Sequence, residues 1–436
     1  MATLSADQER LALSRLYSRF GFGVKAGEFE SALANGFVNT KNSFLVKPTQ
    51  DGIASDLIPI TLDDLGPRPT PGTFANTEYS LKLSKQNKDL VIWWLDQMAT
   101  TDYPLNEKMT WFWHGHWATS IEKINFALPM YKQNITLRNN ALGNFATFCQ
   151  SMFQDGALQF WLDGQDNTAT APNENLSREF MELFTLGVGR YSEDDVKALA
   201  RIFTGVQVQR TNGSVVFNAR RHDSSPVNFL GATKIYTAQD AITSITSRDD
   251  SSRFIYERLW YRFFSSTETM PVDINRSAFT SRDIFAAISD LCSTPYMYAP
   301  DFAMVKSPIE WFIGLCRVFG LTPSATKNFS AIGSDLQKLA QVPFTPPNVG
   351  GWPAGEMWLT SASAQFRLSL SQNILKNVSL DFINAIPPVS RVNYLRDLLG
   401  VYQWSRRTSD ALTVARTEPA RMLLLAINSP EYIVGA

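Results

Sequence analysis

The sequence has little histidine and little cysteine, and this scarcity limits the chemistry that it can perform. It contains three residues of each type in 436. Cys149, Cys292 and Cys316 lie far apart in apolar stretches, which is typical of buried thiols and argues against a disulfide framework or a zinc knuckle. No cysteine stands near a histidine and no G-x-S-x-G motif is present, so serine or cysteine hydrolase chemistry has no local support.

An excess of charge of one sign and a long apolar run are also lacking. The 40 basic and 41 acidic residues give a net charge of −1 and an isoelectric point of about 6.4. This balance leaves no basic stripe of the kind that binds nucleic acid, so we expect no nucleic-acid partner. No apolar run approaches the ~18 residues of a membrane span, so we expect no transmembrane segment. The stretch MATLSADQERLALS lacks a basic segment followed by an apolar one, so we expect no export signal in this chain; a leader removed earlier would leave no trace.

What the chain does have is a large supply of apolar and aromatic residues. Hydrophobic residues make up 44% of it and charged residues 19%, an ordinary globular balance that is sufficient for a large core. Aromatic residues make up 12%, including 11 tryptophans. We favour a large helical core as the explanation. The alternative is a groove in which aromatic rings stack on sugars or peptides.

Helical periodicity runs through most of the sequence and predicts the fold class. We expect a mainly α protein that forms a single large helical domain over residues 1–436, with no fixed-period repeat and no clear linker. Ser5 with Gln8 forms a capping-box pattern ahead of the first helix. The alternating runs VQVQR and SVVFNAR around Asn212-Gly213 predict one small β-hairpin.

Two long segments rich in proline and glycine interrupt the helices. Residues 40–77 lose all periodicity, and we expect an extended loop or arm that wraps the body or contacts a partner. Residues 344–358, FTPPNVGGWPAGEMW, predict a rigid turn that packs Trp352 and Trp358. An alternative interpretation makes these two rings the wall of a ligand groove.

The stretch PNENLSREFMELFTLG, residues 172–187, predicts a helix that begins after an asparagine cap and ends at Gly187. Asn175, Glu179 and Glu182 follow one another at intervals of four and three residues, so they lie along the border of the apolar face. Carboxylates at the edge of a buried face are costly unless a cation, an arginine or a metal pairs with them.

The three histidines are candidate metal ligands. If the segment His114-Gly115-His116 is extended, both rings lie on one side of it, whereas in a helix they diverge by about 160°. His222 could supply a third nitrogen, and the two glutamates could supply oxygens. Such a mixed set suits zinc, manganese or iron, and the metal could polarise a substrate oxygen or generate hydroxide.

A structural role is the alternative for each of these residues. The histidines stand among tryptophans and could hydrogen-bond main-chain carbonyls. Glu182 could pair with Arg178, which otherwise faces solvent or another carboxylate, and Glu179 could pair with Arg138 or Arg201. The asparagines and glutamate at the helix start could serve only to cap it and to complement its dipole.

Several stretches together resemble the domain-of-unknown-function-1800 family. They are SRFGFG, EKMTWFWHGHWATS, RNNALGNF, PNENLSREFMELFTLGVGRYSEDDVKALARIFTG, RHDSSPVNFLG, VKSPIEW and FTPPNVGGWPAGEMWL. The resemblance implies a bacterial, mostly helical protein whose relatives are often exported, and hence a periplasmic or extracellular location if a leader has been removed. It assigns no biochemical role. It implies a histidine in many members where this chain has Phe184.

Two hypotheses for function follow. The first is a metal-assisted, hydrolase-like enzyme that acts on an envelope or extracellular substrate. In this hypothesis His114, His116 and His222 bind the metal, and Glu179 or Glu182 is a ligand or general base. Asn175 serves as an orienting residue. The side chains expected to contact substrate are Trp113, Trp117, Trp352 and Arg178. The second hypothesis is a non-catalytic binding or assembly protein, in which the arm and the tryptophan-rich loops contact a partner.

Overall fold

Helices dominate the computed structural model, which describes residues 4–435. They account for 59% of it, which confirms the prediction of a mainly α protein. Residues 1–3 and 436, at the two ends of the predicted domain, lie outside the described residues. The α-helices are α1 Ala6–Phe20, α2 Glu28–Asn35, α3 Phe37–Phe44, α4 Gln50–Asp56, α5 Phe74–Thr100, α6 Pro104–His116, α7 Ile121–Ile124, α8 Ala127–Asn140, α9 Phe145–Phe153, α10 Gly156–Trp161, α11 Asn175–Glu179, α12 Glu193–Ile202, α13 Ala238–Thr246, α14 Asp249–Phe263, α15 Ile284–Leu291, α16 Pro308–Phe319, α17 Phe329–Lys338, α18 Ser361–Leu375, α19 Asp381–Asn384, α20 Arg391–Leu398, α21 Arg406–Val414, α22 Pro419–Ile427 and α23 Pro430–Ile433. Short 3₁₀ turns cover Gly164–Asp166, Ala219–Arg221, Ser277–Phe279, Pro295–Met297, Pro323–Ala325, Gly355–Trp358 and Pro388–Ser390.

Three small antiparallel sheets accompany the helices in the described part of the chain. The predicted hairpin is confirmed as β1, Val206–Gln209, and β2, Ser214–Phe217, which pair across the Asn-Gly turn. Two further pairs are too short to give a periodic signal in the sequence. They are β3 Val227–Phe229 with β4 Ala232–Lys234, and β5 Met304–Val305 with β6 Val434–Gly435.

The predicted arm over residues 40–77 includes the end of α3 and is non-helical only at residues 45–49 and 57–73, on either side of α4. The threonines at positions 49 and 73 each cap a helix, so α4 and the start of α5 lie inside the predicted arm. The extended part is fastened to α5. The indole N–H of Trp93 donates to the carbonyl of Ile58 (2.7 Å), and the hydroxyl of Tyr79 donates to the carbonyl of Gly66 (3.0 Å).

One predicted helix proves to be two. Periodicity suggests a continuous helix over residues 130–153, but the structure breaks it between α8 and α9. The reason is Asn144, whose side-chain oxygen accepts from the N–H groups of Ala146 (3.0 Å) and Thr147 (3.1 Å) and so begins a new helix. By contrast, the capping box of Ser5 and Gln8 is confirmed at the start of α1.

Helix α6 lies at the centre of the core and carries two of the candidate ligands. Every residue from Leu105 to His116 is buried, and the helix packs against α1, α5 and α8. The buried carboxylate of Glu107 on this helix is neutralised, because Arg138 of α8 forms an ion pair with it. The indole N–H of Trp94 also donates to Glu107 (2.6 Å). These contacts fix the position of the histidines at the carboxyl end of α6.

Candidate functional site

His114 and His116 lie in the last turn of α6 and are each engaged by main chain. The extended geometry that would place both rings on one side of the segment is absent, because Gly115 continues the helix. The Nε2 atom of His114 accepts from the N–H of Phe344 (3.0 Å). The Nε2 atom of His116 lies 2.9 Å from the carbonyl oxygen of Phe184, so it carries the proton and donates. The two rings therefore hold opposite tautomers.

Both of these imidazoles are neutral in the folded protein. Burial lowers the pKa of His114 to about 3. Burial likewise lowers the pKa of His116 to about 3, and the positive charge of Arg258 acts in the same direction. Each ring has one nitrogen, Nδ1, that is buried without a hydrogen-bond partner. Such rings are fixed by their surroundings and do not titrate near neutral pH.

His222 lies on other elements and faces different partners. Its Nδ1 atom is 3.0 Å from the carbonyl oxygen and 3.2 Å from the hydroxyl of Thr204, and its ring contacts Phe217 of the hairpin. The structure therefore does not bring the three histidines to one point. Within residues 4–435, no group of three or more histidine, cysteine, aspartate or glutamate side chains is arranged to hold a metal ion.

The predicted helix over residues 172–187 is present, but its second half is wound as a π-helix. Helix α11 continues as a π segment, Phe180–Thr185, and ends at Gly187, where φ is +89°. The hydroxyl of Thr185 donates to the carbonyl of Phe180 (2.6 Å), which is five residues away and so supports the wider turn. The ring of Phe184 packs on Trp117 at 4.5 Å, so this chain fills with an aromatic ring the place where the resemblance implies a histidine.

The two glutamates of this segment, Glu179 and Glu182, are partly exposed, and neither forms an ion pair with an arginine among residues 4–435. Glu182 accepts from the hydroxyl of Tyr191 (2.7 Å). Partial burial and the charge of Glu182 raise the pKa of Glu179. The predicted pairs with Arg138 and Arg201 do not form, because those arginines bind other carboxylates, at Glu107 and Asp223.

Arg178 and Asn175 are likewise engaged within the chain. Arg178 donates to both carboxylate oxygens of Glu193 (2.8 and 2.7 Å) and to Glu174 (3.1 Å). The amide of Asn175 donates to Asp163 (3.2 Å). This network at the surface holds the start of α11 and leaves Arg178 no free donor pair directed at a ligand.

The three tryptophans proposed to contact substrate fall into two groups. Trp113 and Trp117 are completely buried, so their rings offer no surface to a ligand. Trp352 is 4% exposed and stacks on Trp111 with ring centroids 5.0 Å apart. Its loop therefore packs as the rigid turn that the sequence predicts, while one edge of the ring borders a small cavity beside Arg262.

A larger cleft lies elsewhere, at the carboxyl end of α16. Its volume is about 640 Å³, and no carboxylate lines it. Three partly exposed rings form one side: Phe319 lies 6.2 Å from Phe382, which lies 6.4 Å from Tyr394. Two cations, Lys25 and Arg317, lie at the edge that the cleft shares with a smaller cavity of about 230 Å³.

Arg317 is the most unusual side chain of this cleft. It is 4% exposed, yet no carboxylate in the described part of the chain forms an ion pair with it. One terminal nitrogen makes long contacts of 3.4 Å with the carbonyls of Ala99 and Thr101, and its Nε atom is buried without a partner. Burial lowers the pKa of its guanidinium, while the negative charges of Glu28, Asp102 and Asp56 raise it.

Comparison with known proteins gives one match. A family model described as "Protein of unknown function (DUF1800)" matches residues 15–434. The chain belongs to the DUF1800 family. Comparisons with curated proteins and with solved structures find no match. The matched region of this DUF1800 protein includes the histidine helix, the π segment and every residue that lines the cleft.

The sequence of this DUF1800 protein predicts no transmembrane segment. Among the described residues, no helix combines the length and the apolar character needed to cross a bilayer.

Sequence reasoning missed the cleft of this DUF1800 protein because its residues are scattered. Lys25 follows the first helix, Arg317 lies in the last turn of α16, and Phe382 and Tyr394 come more than 60 positions later, so no local motif unites them. One signal was present. Arg317 interrupts the apolar run IGLCRVFG, and a charge placed in such a run has to be paired or used.

Proposed function

We propose that this protein is a non-catalytic binding protein whose ligand is a small organic acid held in the cleft at the end of α16. The acid group binds Arg317, and an apolar, flat part of the ligand lies against the three aromatic rings. This develops the second of the two hypotheses that the sequence leaves open.

The observation that supports the proposal is the nearly buried guanidinium of Arg317 without a carboxylate partner. A charge removed from water is costly unless an opposite charge or good hydrogen bonds compensate for it. Its two long contacts with carbonyl groups compensate only in part. A ligand carboxylate suits the vacant donors, because arginine presents a planar fork that matches two carboxylate oxygens.

The rest of the cleft suits the body of such a ligand. Its volume of about 640 Å³ lies within the range of about 300–1,000 Å³ that is usual for small-molecule sites. Phe319, Phe382 and Tyr394 offer flat apolar surface, and Lys25 lies at the rim in an ion pair with Asp102 (3.2 Å). A ligand with one acid group and one aromatic or apolar ring satisfies both features.

The groups of the cleft favour binding over chemistry. No histidine lines it, and burial raises the pKa of the Cys316 thiol, which keeps this possible nucleophile protonated. The metal-assisted alternative draws no support from the geometry, because its predicted ligands are separately engaged.

The proposal is tested with 4-phenylbutyrate and its uncharged analogue 4-phenylbutan-1-ol, measured by isothermal titration and ligand-observed NMR. We expect the acid to bind at least tenfold more tightly than the alcohol. Arg317→Gln should weaken acid binding by about 10- to 100-fold, the usual effect of losing a charged hydrogen bond, and leave alcohol binding nearly unchanged.

Two further variants complete this experiment. Arg406→Gln removes a cation whose side chain is 96% exposed, and it should bind the acid like the wild type. Phe382→Leu should weaken the acid and the alcohol together, because it removes part of the shared ring surface. Equal affinity for acid and alcohol, or acid binding that survives Arg317→Gln in a folded protein, would refute the proposal.

A further inference from the structure

We infer a second, independent site: the small cavity beneath Trp352, at the amino end of α16, binds an oxyanion, either a carboxylate or a phosphate. The cavity has a volume of about 30 Å³ and lies between α6, α14, α16 and the loop of residues 344–353. Its polar lining consists of Lys108, Arg262, Ser307, Glu310, Gln341 and Trp352.

Two of the hydrogen-bonding groups that line this cavity are donors without acceptors in the described part of the chain. The indole N–H of Trp352 is buried and has no partner. The side-chain oxygen of Gln341 accepts from the N–H of Ile309 (2.9 Å), which leaves its NH₂ group without an acceptor in the described part of the chain. Lys108, which is 3% exposed, forms a single ion pair with Glu310. A ligand that only accepts hydrogen bonds satisfies all three donors.

Two arginines on one face of α14 extend this excess of donors. Arg262 donates to the carbonyl of Trp352 (2.7 Å), and so it holds the loop over the cavity. Arg258, one helical turn earlier, has no hydrogen-bond acceptor among residues 4–435 and lies over the ring of Tyr261, 5.6 Å from its centroid. Two like charges at this spacing repel each other, so an anion between or beside them is favourable.

The charges around the cavity do not balance. Two cations, Lys108 and Arg262, line the cavity with a single carboxylate, Glu310, which already accepts from Lys108 and from the N–H of Ser307 (2.9 Å). Near the cavity, burial lowers the pKa of Lys306 to about 7; the charge of Glu310 opposes this, and that of Lys108 acts in the same direction as burial. Burial lowers the pKa of Lys108 as well, although Glu310 opposes this. A bound anion would offset the repulsion between the positive charges of Lys108 and Arg262.

The size of the cavity selects the class of ligand. A water molecule needs about 10–15 Å³ measured in this way, so the cavity accommodates two waters or the two oxygens of one acid group. The positive end of the dipole of α16, a helix of 12 residues, points toward the same region. A carboxylate the size of acetate, or two oxygens of a phosphate, fits both the volume and the charge.

The loop that covers the cavity is held in position by contacts within the protein. The backbone of Gly351 lies against the carbonyl of Gly115, so closely that a side chain on Gly351 would overlap it. Trp352 is stacked on Trp111, and the guanidinium of Arg262 donates to the carbonyl of Trp352. The donors are therefore held in position before an anion arrives, which lowers the entropic cost of binding.

The decisive variant is Gln341→Glu. It keeps the oxygen that accepts from Ile309 but replaces the vacant NH₂ group by a second oxygen, so it places a carboxylate inside the cavity. We expect millimolar phosphate or acetate to raise the melting temperature of the wild-type protein above that in chloride of equal ionic strength. Gln341→Glu should melt higher than the wild type without added anion and should lose this response, with at least a tenfold rise in Kd.

Matched controls separate this site from general effects of salt. Gln372→Glu adds the same charge at an exposed position of α18, and Arg317→Gln alters only the organic-acid cleft. Both should respond to phosphate and acetate like the wild type. A difference between the two anions identifies which of them is the better ligand.

A second measurement does not depend on the stability of the Gln341→Glu variant. In protein with ¹⁵N-labelled tryptophan, one indole signal should shift as phosphate or acetate is added, and that signal should be missing in Trp352→Phe. If no indole signal that Trp352→Phe removes responds to either anion, the inference is wrong. A response to phosphate in Gln341→Glu that equals the wild-type response would also overturn it.

Discussion

At the scale of single residues, burial decides what the polar side chains of this protein can do. His114 and His116 were the strongest candidate ligands in the sequence, yet the core holds both as neutral rings bonded to main chain. The structural alternative for them could be stated from the sequence, because they stand among tryptophans. Whether the two histidines bind a metal or hold main chain depended on whether α6 continues through Gly115. A single glycine in the sequence does not show whether a helix continues or breaks.

The buried histidines make the folded state sensitive to acid. The ordinary histidine pKa is 6.5, and burial lowers it to about 3 at both positions. Between these values the unfolded chain binds more protons than the folded one, so stability is complete above pH 6.5 and falls as the pH is lowered toward 3. We expect His116→Gln to reduce the slope of unfolding free energy against pH by up to about 1.4 kcal/mol per pH unit.

Urea titrations at pH 4.5, 5.5, 6.5 and 7.5 measure this slope. The control is Phe112→Leu, which alters a ring stacked on His116 but removes no titratable group. It should lower stability by a similar amount at every pH. A slope in His116→Gln identical to that of the wild type would show that this ring is protonated in the folded protein.

At the scale of elements, caps and turns were the most predictable features. The capping box at Ser5 and the Asn-Gly hairpin are local patterns, and both formed as expected. The break at Asn144 and the π segment were not foreseen. The break is caused by a capping residue in a stretch whose apolar residues keep the helical period. The π segment adds one residue to a helical turn, which leaves the apolar pattern nearly unchanged.

The loop of residues 344–353 provides a test at this scale. Gly351 has a φ of +79°, and an added Cβ atom would overlap the carbonyl oxygen of Gly115. Gly351→Ala should therefore cost at least about 2 kcal/mol of stability through strain and displacement of the loop. At Gly350 the nearest atom is a flexible side-chain oxygen of Asn348, 3.1 Å from the added Cβ, so Gly350→Ala should cost less than about 1 kcal/mol.

Chemical denaturation of the two alanine variants gives both values. Near-ultraviolet circular dichroism adds a local signal, because the stacked pair of Trp352 and Trp111 depends on the same loop. Equal stability of the two variants would mean that the loop can move away from α6 without cost.

At the scale of the whole molecule, contacts between distant parts of the sequence join its two halves. The hydroxyl of Ser14 donates to the carbonyl of Gly400 (2.7 Å), and Arg10 forms an ion pair with Asp397. Strand β5 pairs with β6 near residue 435. The mainly α class followed from periodicity, whereas these long-range pairings and the cleft that they help to shape could not be read from local patterns.

Such contacts predict one cooperative unfolding transition. A cut anywhere between α1 and residue 397 would separate α1 from its partners near residues 397–402, so we expect a single domain in the thermodynamic sense. Far-ultraviolet circular dichroism, tryptophan fluorescence and calorimetry should give the same midpoint. Two separated transitions, or different midpoints for the two optical signals, would indicate independently folding units.

The contact between Ser14 and Gly400 also has a consequence for synthesis, because it spans 386 positions of the chain. A ribosome that adds about 5–20 residues per second needs roughly 20–80 s to make the segment in between. During that interval α1 can pack against α2 and α3, but its partners near residues 397–402 have not been made. The nascent chain therefore needs temporary protection, from a chaperone or from its own early helices, before α1 reaches its final place.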